Sequence, residues 1–184
     1  MIRVLGIDPG FASLGYAVVE LEEENLVPLQ LGVVRTEKSN TKANVLASDD
    51  NVRRIREISG TIYTLMEGKL AICTESQSWP RNASASAKVG MAWGALAGFS
   101  EILDIPLLQV SPMGLKKAVT GNKGATKEQV MAALNERFGR DFAAELVKQG
   151  VPASQHEHAY DALGAVVAME NSETFRLARR MTTG

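Results

Sequence analysis

Apolar residues follow strand-like spacing in the first part of the chain. Residues 2–8 form an apolar run that ends at Asp8, and Pro9-Gly10 supplies a turn. Residues 14–21 and 27–35 are two further apolar runs, separated by an acidic turn. The three runs together predict an antiparallel meander at the start of the fold.

Helical and strand-like spacing alternate beyond residue 50. Helices are predicted over 51–66, over 82–103, after the capping box of Thr126 and Gln129, and from about His158, with short buried strands at 70–74 and 106–110. We expect the Ala- and Gly-rich helix over 82–103 to pack closely on the sheet. The order predicts an α/β fold: a mixed five-stranded sheet, three antiparallel strands and then two parallel, flanked by helices.

Composition narrows the class of protein. A chain of 184 residues is long enough for one domain, which we place at residues 1–184 with a short basic C-terminal tail from about residue 171. The single cysteine, Cys73, lies in an apolar run and is expected in the core, and one cysteine with two histidines excludes a structural zinc finger. Neither a leader nor a bilayer-spanning run is evident, so we expect a cytoplasmic protein with no membrane partner.

The net charge of −1 at first argues against a nucleic-acid partner. The distribution of charge changes that picture, because every charged residue between positions 111 and 127 is a lysine and three arginines lie near the C-terminus. A balanced total can therefore contain a basic face. A solvated lysine surface explains the same pattern equally well.

Acidic residues stand at the ends of apolar segments, where a carboxylate needs compensation. Asp8 and Glu75 each end an apolar run, and Asp161 lies on the predicted last helix three residues after His158, so that both share one helix face. A buried carboxylate is costly unless a cation or hydrogen bonds stabilise it. Oxygen ligands of this kind suit Mg²⁺ or Mn²⁺, and two such ions about 3.5–4 Å apart support phosphodiester cleavage.

Each of these residues also has a simpler interpretation. Asp8 can stabilise the turn that follows it, and Glu75 can be a solvated strand end. His158 and Asp161 can belong to an ordinary helix start, where acidic residues favour the helix dipole. The three segments taken together favour the metal site, provided that the first and fourth strands are neighbours.

Four segments of the chain resemble RuvC-type Holliday-junction resolvases, within the RNase H-like superfamily of nucleases. GIDPGFASLGYAV is similar to the first strand and hairpin of that family, and TESQSWPRNASASAKVGMAWGALAG to its glutamate strand and following helix. LKKAVTGNKGATKEQV resembles the basic segment, and HAYDALGAVV the closing helix. The resemblance spans roughly residues 1–170, and its divergence is compatible with a phage-encoded member.

The resemblance implies a role for each of the conspicuous residues. The catalytic, metal-binding set would be Asp8, Glu75, His158 and Asp161, holding two Mg²⁺ ions for which Mn²⁺ can substitute. Lys116 and Lys127 match the two functional lysines of the family and would contact phosphates. We expect further DNA contacts from nearby basic and polar residues: Lys117, Lys123, Arg81 and Asn82.

The chain departs from the family in the loop after Glu75. Bacterial members place a stacking aromatic residue three positions past the glutamate, where this chain has Ser78 and then Trp79. Base stacking depends on an aromatic face, so Trp79 can take that role. A tryptophan packed under the loop is the alternative.

The expected function is that of a crossover junction endodeoxyribonuclease, which cuts four-way DNA junctions by paired symmetric cuts that leave 5′-phosphate ends. Two symmetric cuts with one site per chain imply a homodimer, whose interface we expect on the helix of residues 55–66 or on the helix after Asn82. The alternatives are an RNase H-like nuclease that acts on forks, flaps or other branched nucleic acids, and a non-catalytic junction-binding protein.

Overall fold

A computed structural model describes residues 2–22, 25–39, 46–77 and 81–182. Five strands form one mixed sheet in the order β3-β2-β1-β4-β5. The first three strands pair antiparallel, and β4 pairs parallel with both β1 and β5. Their bounds are β1 Ile2–Asp8, β2 Ser13–Leu21, β3 Leu26–Arg35, β4 Ile72–Glu75 and β5 Leu107–Val110. The predicted α/β fold is confirmed, including the adjacency of the first and fourth strands.

Seven α-helices flank this sheet within the described residues, and a short 3₁₀ turn at Ala153–Gln155 precedes the sixth. The predicted capping box is present, with Thr126 and Gln129 bonded to each other's backbone N–H. None of the helices in the described ranges is long and apolar enough to cross a membrane. The helix bounds are α1 Ala47–Met66, α2 Ala83–Ile102, α3 Pro112–Thr120, α4 Lys127–Phe138, α5 Phe142–Lys148, α6 His156–Ala168 and α7 Glu173–Thr182.

The sheet separates two hydrophobic clusters because successive strand side chains point to opposite faces. One face, which we call the α6 face, joins residues such as Val4 and Ala17 to apolar side chains from α3 to α7. The other, the α1 face, joins Leu5 and Val18 to α1 and to Leu96 of α2. Cys73 is fully buried in the α6-face cluster, as predicted.

Two strand glycines allow α6 to lie directly on the sheet. A Cβ atom at Gly6 would come within 2.0 Å of the Ala162 carbonyl oxygen, and one at Gly15 within 1.9 Å of the His158 carbonyl oxygen. A glycine inside a strand commonly marks such a close backbone approach. The two glycines therefore fix the height of His158 and its neighbours above the ends of the strands.

Several elements differ from the sequence prediction. The basic segment forms α3, a nine-residue helix with Pro112 in its first turn and Leu115 as its buried residue. The segment predicted as a tail forms α7, whose Phe175 and Ala178 are buried in the α6-face cluster. This helix was not predicted from the sequence, because its three arginines outweigh the short apolar stripe in the composition of the segment.

The packing of α2 is looser than predicted. Of its twenty residues only Ala92 and Leu96 are buried, and its principal neighbour is α1. Alanine and glycine carry too little side chain to form a wide apolar contact. The Ala- and Gly-rich composition of α2 therefore predicted close packing on the sheet, whereas the structure leaves the outer side of this helix exposed.

Candidate active site

The parallel pairing of β1 and β4 brings two of the predicted carboxylates together. Ile7 pairs with Thr74, so Asp8 and Glu75 follow as the next residues at the same edge of the sheet. Asp161 comes from α6, close enough that repulsion from both other carboxylates acts on it. Ligand sites in open α/β sheets lie beyond the carboxyl ends of parallel strands, as they do here.

His158 is bound to Asp8 in this arrangement. The Nδ1 N–H of His158 donates to Oδ2 of Asp8 over 2.6 Å, and both side chains are about one quarter exposed. The hydrogen bond raises the pKa of His158, against the opposing effect of burial. The bond to Asp8 thus favours the imidazolium form of His158.

Among the described residues, the other two carboxylates have no such hydrogen-bonded cation, and their pKa values rise. Burial raises the pKa of Asp161 to about 7, and repulsion from Asp8 and Glu75 adds to the effect. Burial and repulsion from Asp8 also raise the pKa of Glu75, while Lys116 and Lys127 lower it. A cluster of this kind favours the binding of cations, and perturbed carboxylates in a cleft are typical of functional sites.

A cavity of about 280 Å³ opens beside these carboxylates. Glu75 and Asp161 line it together with Lys116 and Lys127, the two lysines that the resemblance singled out. Lys127 Nζ also donates to Glu157 Oε2 over 2.5 Å. An anionic ligand that enters this cavity therefore meets two lysines, one of which is already paired.

The donor chemistry fits a hard divalent cation, although the side chains are not yet arranged around one. Among the described residues, no three His, Cys, Asp or Glu side chains are grouped closely enough to hold one ion as they stand. A carboxylate that binds a metal must be deprotonated, and the raised pKa of Asp161 makes that step depend on pH.

The other described residues that were predicted to contact DNA do not line the cavity beside the carboxylates. Lys117 and Lys123 are exposed and lie on and just after α3. Arg81 is exposed, and the Asn82 side chain caps α2 by accepting from the backbone N–H of Ala85 over 3.1 Å. Ser78 and Trp79 lie outside the described residues, so the structure does not bear on their predicted roles.

Arg54, which was not predicted as a buried residue, contacts and supports the loop that follows Asp8. Arg54 is buried on α1, where the helical pattern suggested a polar position, and its guanidinium lies 4.4 Å from the centre of the Phe11 ring. Arg54 also donates to the hydroxyl and carbonyl oxygens of Thr36, whose hydroxyl donates to the Phe11 carbonyl. The available signal was that Arg54 precedes the buried Ile58 by four residues, on the same face of α1.

Comparison with known proteins assigns the arrangement to a family. The family model described as crossover junction endodeoxyribonuclease RuvC matches residues 4–138, which is well over half of the chain. The chain belongs to the RuvC family. RuvC of Brevibacillus brevis is 32% identical over 131 residues, covering 70% of this chain and 74% of that protein. RuvC of Geotalea uraniireducens is 27% identical over 173 residues, covering 93% and 90%.

Solved RuvC structures extend the likeness across α6, which lies beyond the matched residues of the family model. A Thermus thermophilus RuvC structure is 26% identical, covers 99% of this chain and 98% of that chain, and has a TM-score of 0.68. T. thermophilus RuvC in complex with a Holliday junction substrate is 25% identical with the same coverage and a TM-score of 0.72. The helix that carries His158 and Asp161 is therefore part of the shared RuvC fold.

Proposed function

We propose that this RuvC-family chain is a divalent-metal-dependent endonuclease that resolves four-way DNA junctions. It would make paired symmetric cuts that leave 5′-phosphate and 3′-hydroxyl ends, with Mg²⁺ as the metal and Mn²⁺ as a substitute. The observation that carries the proposal is the meeting of Asp8, Glu75 and Asp161 beside Lys116 and Lys127. Support for the substrate comes from the T. thermophilus RuvC that was solved with a Holliday junction.

The proposed metal ligands are the three carboxylates and His158. Two divalent ions, when bound, would activate the attacking water and stabilise the leaving oxygen. Both raised carboxyl pKa values are consistent with this assignment, because bound cations would offset the burial, and the added repulsion, that raise them. The oxygen-rich ligand set favours Mg²⁺ or Mn²⁺ over zinc.

The lysines of the cavity would hold the DNA backbone. Lys116 is half-buried and lines the cavity beside Glu75, where a phosphate oxygen would meet its ammonium group. Lys127 would exchange its bond to Glu157 for a phosphate, since charge-assisted bonds to either anion are of similar kind. The basic α3–α4 segment can thus bind DNA in a chain whose net charge is −1.

One assay tests this function directly. The protein is incubated with Mg²⁺ and a synthetic four-way junction, a fork, a flap or a linear duplex, and cleaved ends are mapped. We expect cleavage of the junction at symmetric positions, at least about a thousandfold faster than by Asp8→Asn or Asp161→Asn. Both variants should still bind the junction in a gel-shift assay.

The same assay separates the alternatives. Faster cleavage of forks or flaps than of the junction would assign another branched substrate to the same site. Junction binding without cleavage at any Mg²⁺ or Mn²⁺ concentration would indicate a non-catalytic binding protein. Undiminished cleavage by both variants would show that the carboxylates are not the active site.

We further propose that two copies pair through the outer surface of α2. This helix carries only two charged residues, Lys88 and Glu101, yet most of its side chains are not buried. Gly94, Ala97 and Gly98 form an exposed strip of small residues on which a second backbone can approach closely. Ile102, at the end of the helix, is 74% exposed. Two symmetric cuts require two sites, which a twofold dimer supplies.

Light scattering coupled to gel filtration tests this interface. Ala97→Lys should convert a dimer into a monomer, whereas Ala132→Lys, at an exposed position of α4, should leave the dimer intact. The monomeric variant should nick junctions without completing paired cuts. A dimer that survives Ala97→Lys would place the interface elsewhere.

A further inference from the structure

A second cavity also borders Glu75, one of the carboxylates of the candidate active site. It has a volume of about 200 Å³ and lies between the ends of β1 and β4 and the helix α2. Asp8 and Glu75 line the end shared with the candidate active site. The rest of the lining comes from the segments that follow both strands and from α2: Pro9, Ser76, Gln77, Val89 and Trp93.

Gln77 presents an unused hydrogen-bond donor at this cavity. Its amide nitrogen is shielded from solvent and has no hydrogen-bond partner in the part of the chain that the structure describes. The backbone just before it is fixed, because the N–H of Ser76 donates to the Val110 carbonyl over 2.7 Å. A buried donor without a partner is rare in native structures, so this amide calls for an acceptor from outside the described residues.

Trp93 and Val89 give the cavity an apolar wall from α2. Both are partly exposed, and neither is among the side chains that form or pack against the two hydrophobic clusters of the described residues. An indole that borders a cavity instead of filling a core is available for contact with a ligand ring. Aromatic side chains stack on nucleobases of any identity, since every base has a π-face.

We propose that this cavity holds a nucleobase of the strand being cut, next to the scissile phosphate. Trp93 would supply the stacking surface, and the Gln77 amide would donate to an acceptor on the edge of the base. Trp93 would thus add affinity without discrimination, whereas Gln77 would set which base is preferred. The proposal rests on the function proposed above, since the strand must lie with its phosphate at Asp8 and Glu75.

The chemistry of the wall favours a base over a second phosphate. No lysine or arginine of the described residues lines this cavity, while the neighbouring cavity has two lysines. A second phosphate there would therefore find no lysine or arginine of the described residues to bind it. The volume also suits a ring, because a cavity of about 150 Å³ is enough for benzene.

The first test compares base preference between variants. Four-way junctions with each of the four bases at the mapped cleavage position are cut under single-turnover conditions in Mg²⁺. For the parent we expect rates that differ by roughly five- to tenfold among bases, as a hydrogen bond to a base edge provides. Gln77→Leu should bring this ratio close to one, and Gln77→Glu should change the order, because a carboxylate only accepts.

Gln109→Leu is the matched control, since Gln109 is an exposed glutamine on β5 and lines neither cavity. Its base preference should equal that of the parent. An unchanged ratio and order in both Gln77 variants would overturn the role of Gln77. Equal rates on all four bases in the parent would overturn it as well.

The second test does not depend on cleavage. The cleavage-deficient Asp161→Asn protein is mixed with junctions that carry the fluorescent base 2-aminopurine at successive positions. We expect binding to change the emission at one position, an effect that Trp93→Leu removes and Trp93→Phe largely keeps. If no position depends on Trp93, the base site is wrong even where the parent cuts junctions. If the parent cuts no DNA but the Trp93-dependent signal is present, the proposed endonuclease function fails and the base site stands.

Discussion

The two faces of the sheet are built differently, although the strands between them are the same. Five helices cover the α6 face, which contains Phe142, Tyr160 and Phe175 as fully buried aromatic side chains. Two helices cover the α1 face, and the outer of them, α2, buries only two residues. The α6 face supplies both the stability of the fold and two of the site residues, His158 and Asp161. The α1 face leaves most side chains of α2 exposed, and it is through this helix that we propose that two copies pair. One face is thus closed around the candidate site, and the other keeps an exposed helix.

A pair of glycine substitutions should reveal the largest difference between the faces. Gly15→Ala places a methyl group against the His158 carbonyl and should lower the free energy of unfolding by roughly 3 kcal/mol. Gly60→Ala on α1 meets open space among the described residues and should raise it by about 0.5–1 kcal/mol. Urea denaturation measures both. Equal costs at the two positions would contradict the close approach of α6.

Asp161→Asn should stabilise the α6 face while it abolishes cleavage. Because the folded-state pKa of Asp161 is raised from 3.8 to about 7, the folded protein binds its proton more tightly than the unfolded chain does. The free energy of unfolding of the parent should therefore fall as pH rises from about 4 to 7, and stay lower above that range. At pH 8 without divalent metal, we expect the variant to be more stable by on the order of 2–4 kcal/mol.

Denaturation at pH 5 and pH 8 in the presence of a chelator measures this effect. Added Mn²⁺ should stabilise the parent at pH 8 and have little effect on the variant, because binding to the native state alone raises stability. A variant that is less stable than the parent at pH 8 without metal would show that the Asp161 charge is better compensated than its surroundings indicate.

Substitution of one lysine on each face compares how much the two faces contribute to DNA binding. Lys116→Ala should weaken junction binding by roughly threefold to tenfold and reduce the salt dependence by about one ion, as loss of a phosphate contact predicts. Lys88→Ala on α2, whose Nζ lies 6.0 Å from the centre of the Phe11 ring, should change both less. Fluorescence anisotropy over a salt series measures the two values. A larger effect at Lys88 would place the principal DNA contacts on the α1 face.

The smallest expected effect concerns the pair of Lys127 and Glu157. Glu157→Gln removes a competitor for the Lys127 ammonium and should tighten junction binding by about twofold to threefold, the scale of an exposed ion pair. The same anisotropy titrations detect this change. Weaker binding in the variant would mean that Glu157 positions Lys127 for DNA instead of competing with it.

The parts of the fold that the sequence predicted are those with strong periodicity. The strand that ends at Asp8, the strand that ends at Glu75 and the helix with Asp161 were all predicted near their observed bounds. The glycines beneath α6 and the buried Arg54 gave no comparable signal. Their positions depend on which backbone or ring lies opposite, and a linear pattern does not contain that information.

The sequence predicted that Asp8, Glu75, His158 and Asp161 lie near one another, but it did not predict how they are arranged. The spacing of His158 and Asp161 placed both on one helix face, but the bond from His158 to Asp8 joins residues 150 positions apart. The pairing of Glu157 with Lys127 was not predicted, because an acidic residue at the start of a helix is already explained by the helix dipole. Gln77 was missed because an unpartnered amide becomes evident only when its surroundings are known.

The contact of α6 with Gly6 and Gly15 has a consequence for how such enzymes diverge. Where main chain rests on main chain, the separation between the helix and the strand ends depends little on which side chains fill the core. Substitutions elsewhere in the core can therefore accumulate without altering the spacing of the acids. The 27–32% identity between this chain and its RuvC relatives is therefore compatible with an unchanged separation between Asp8, Glu75 and Asp161.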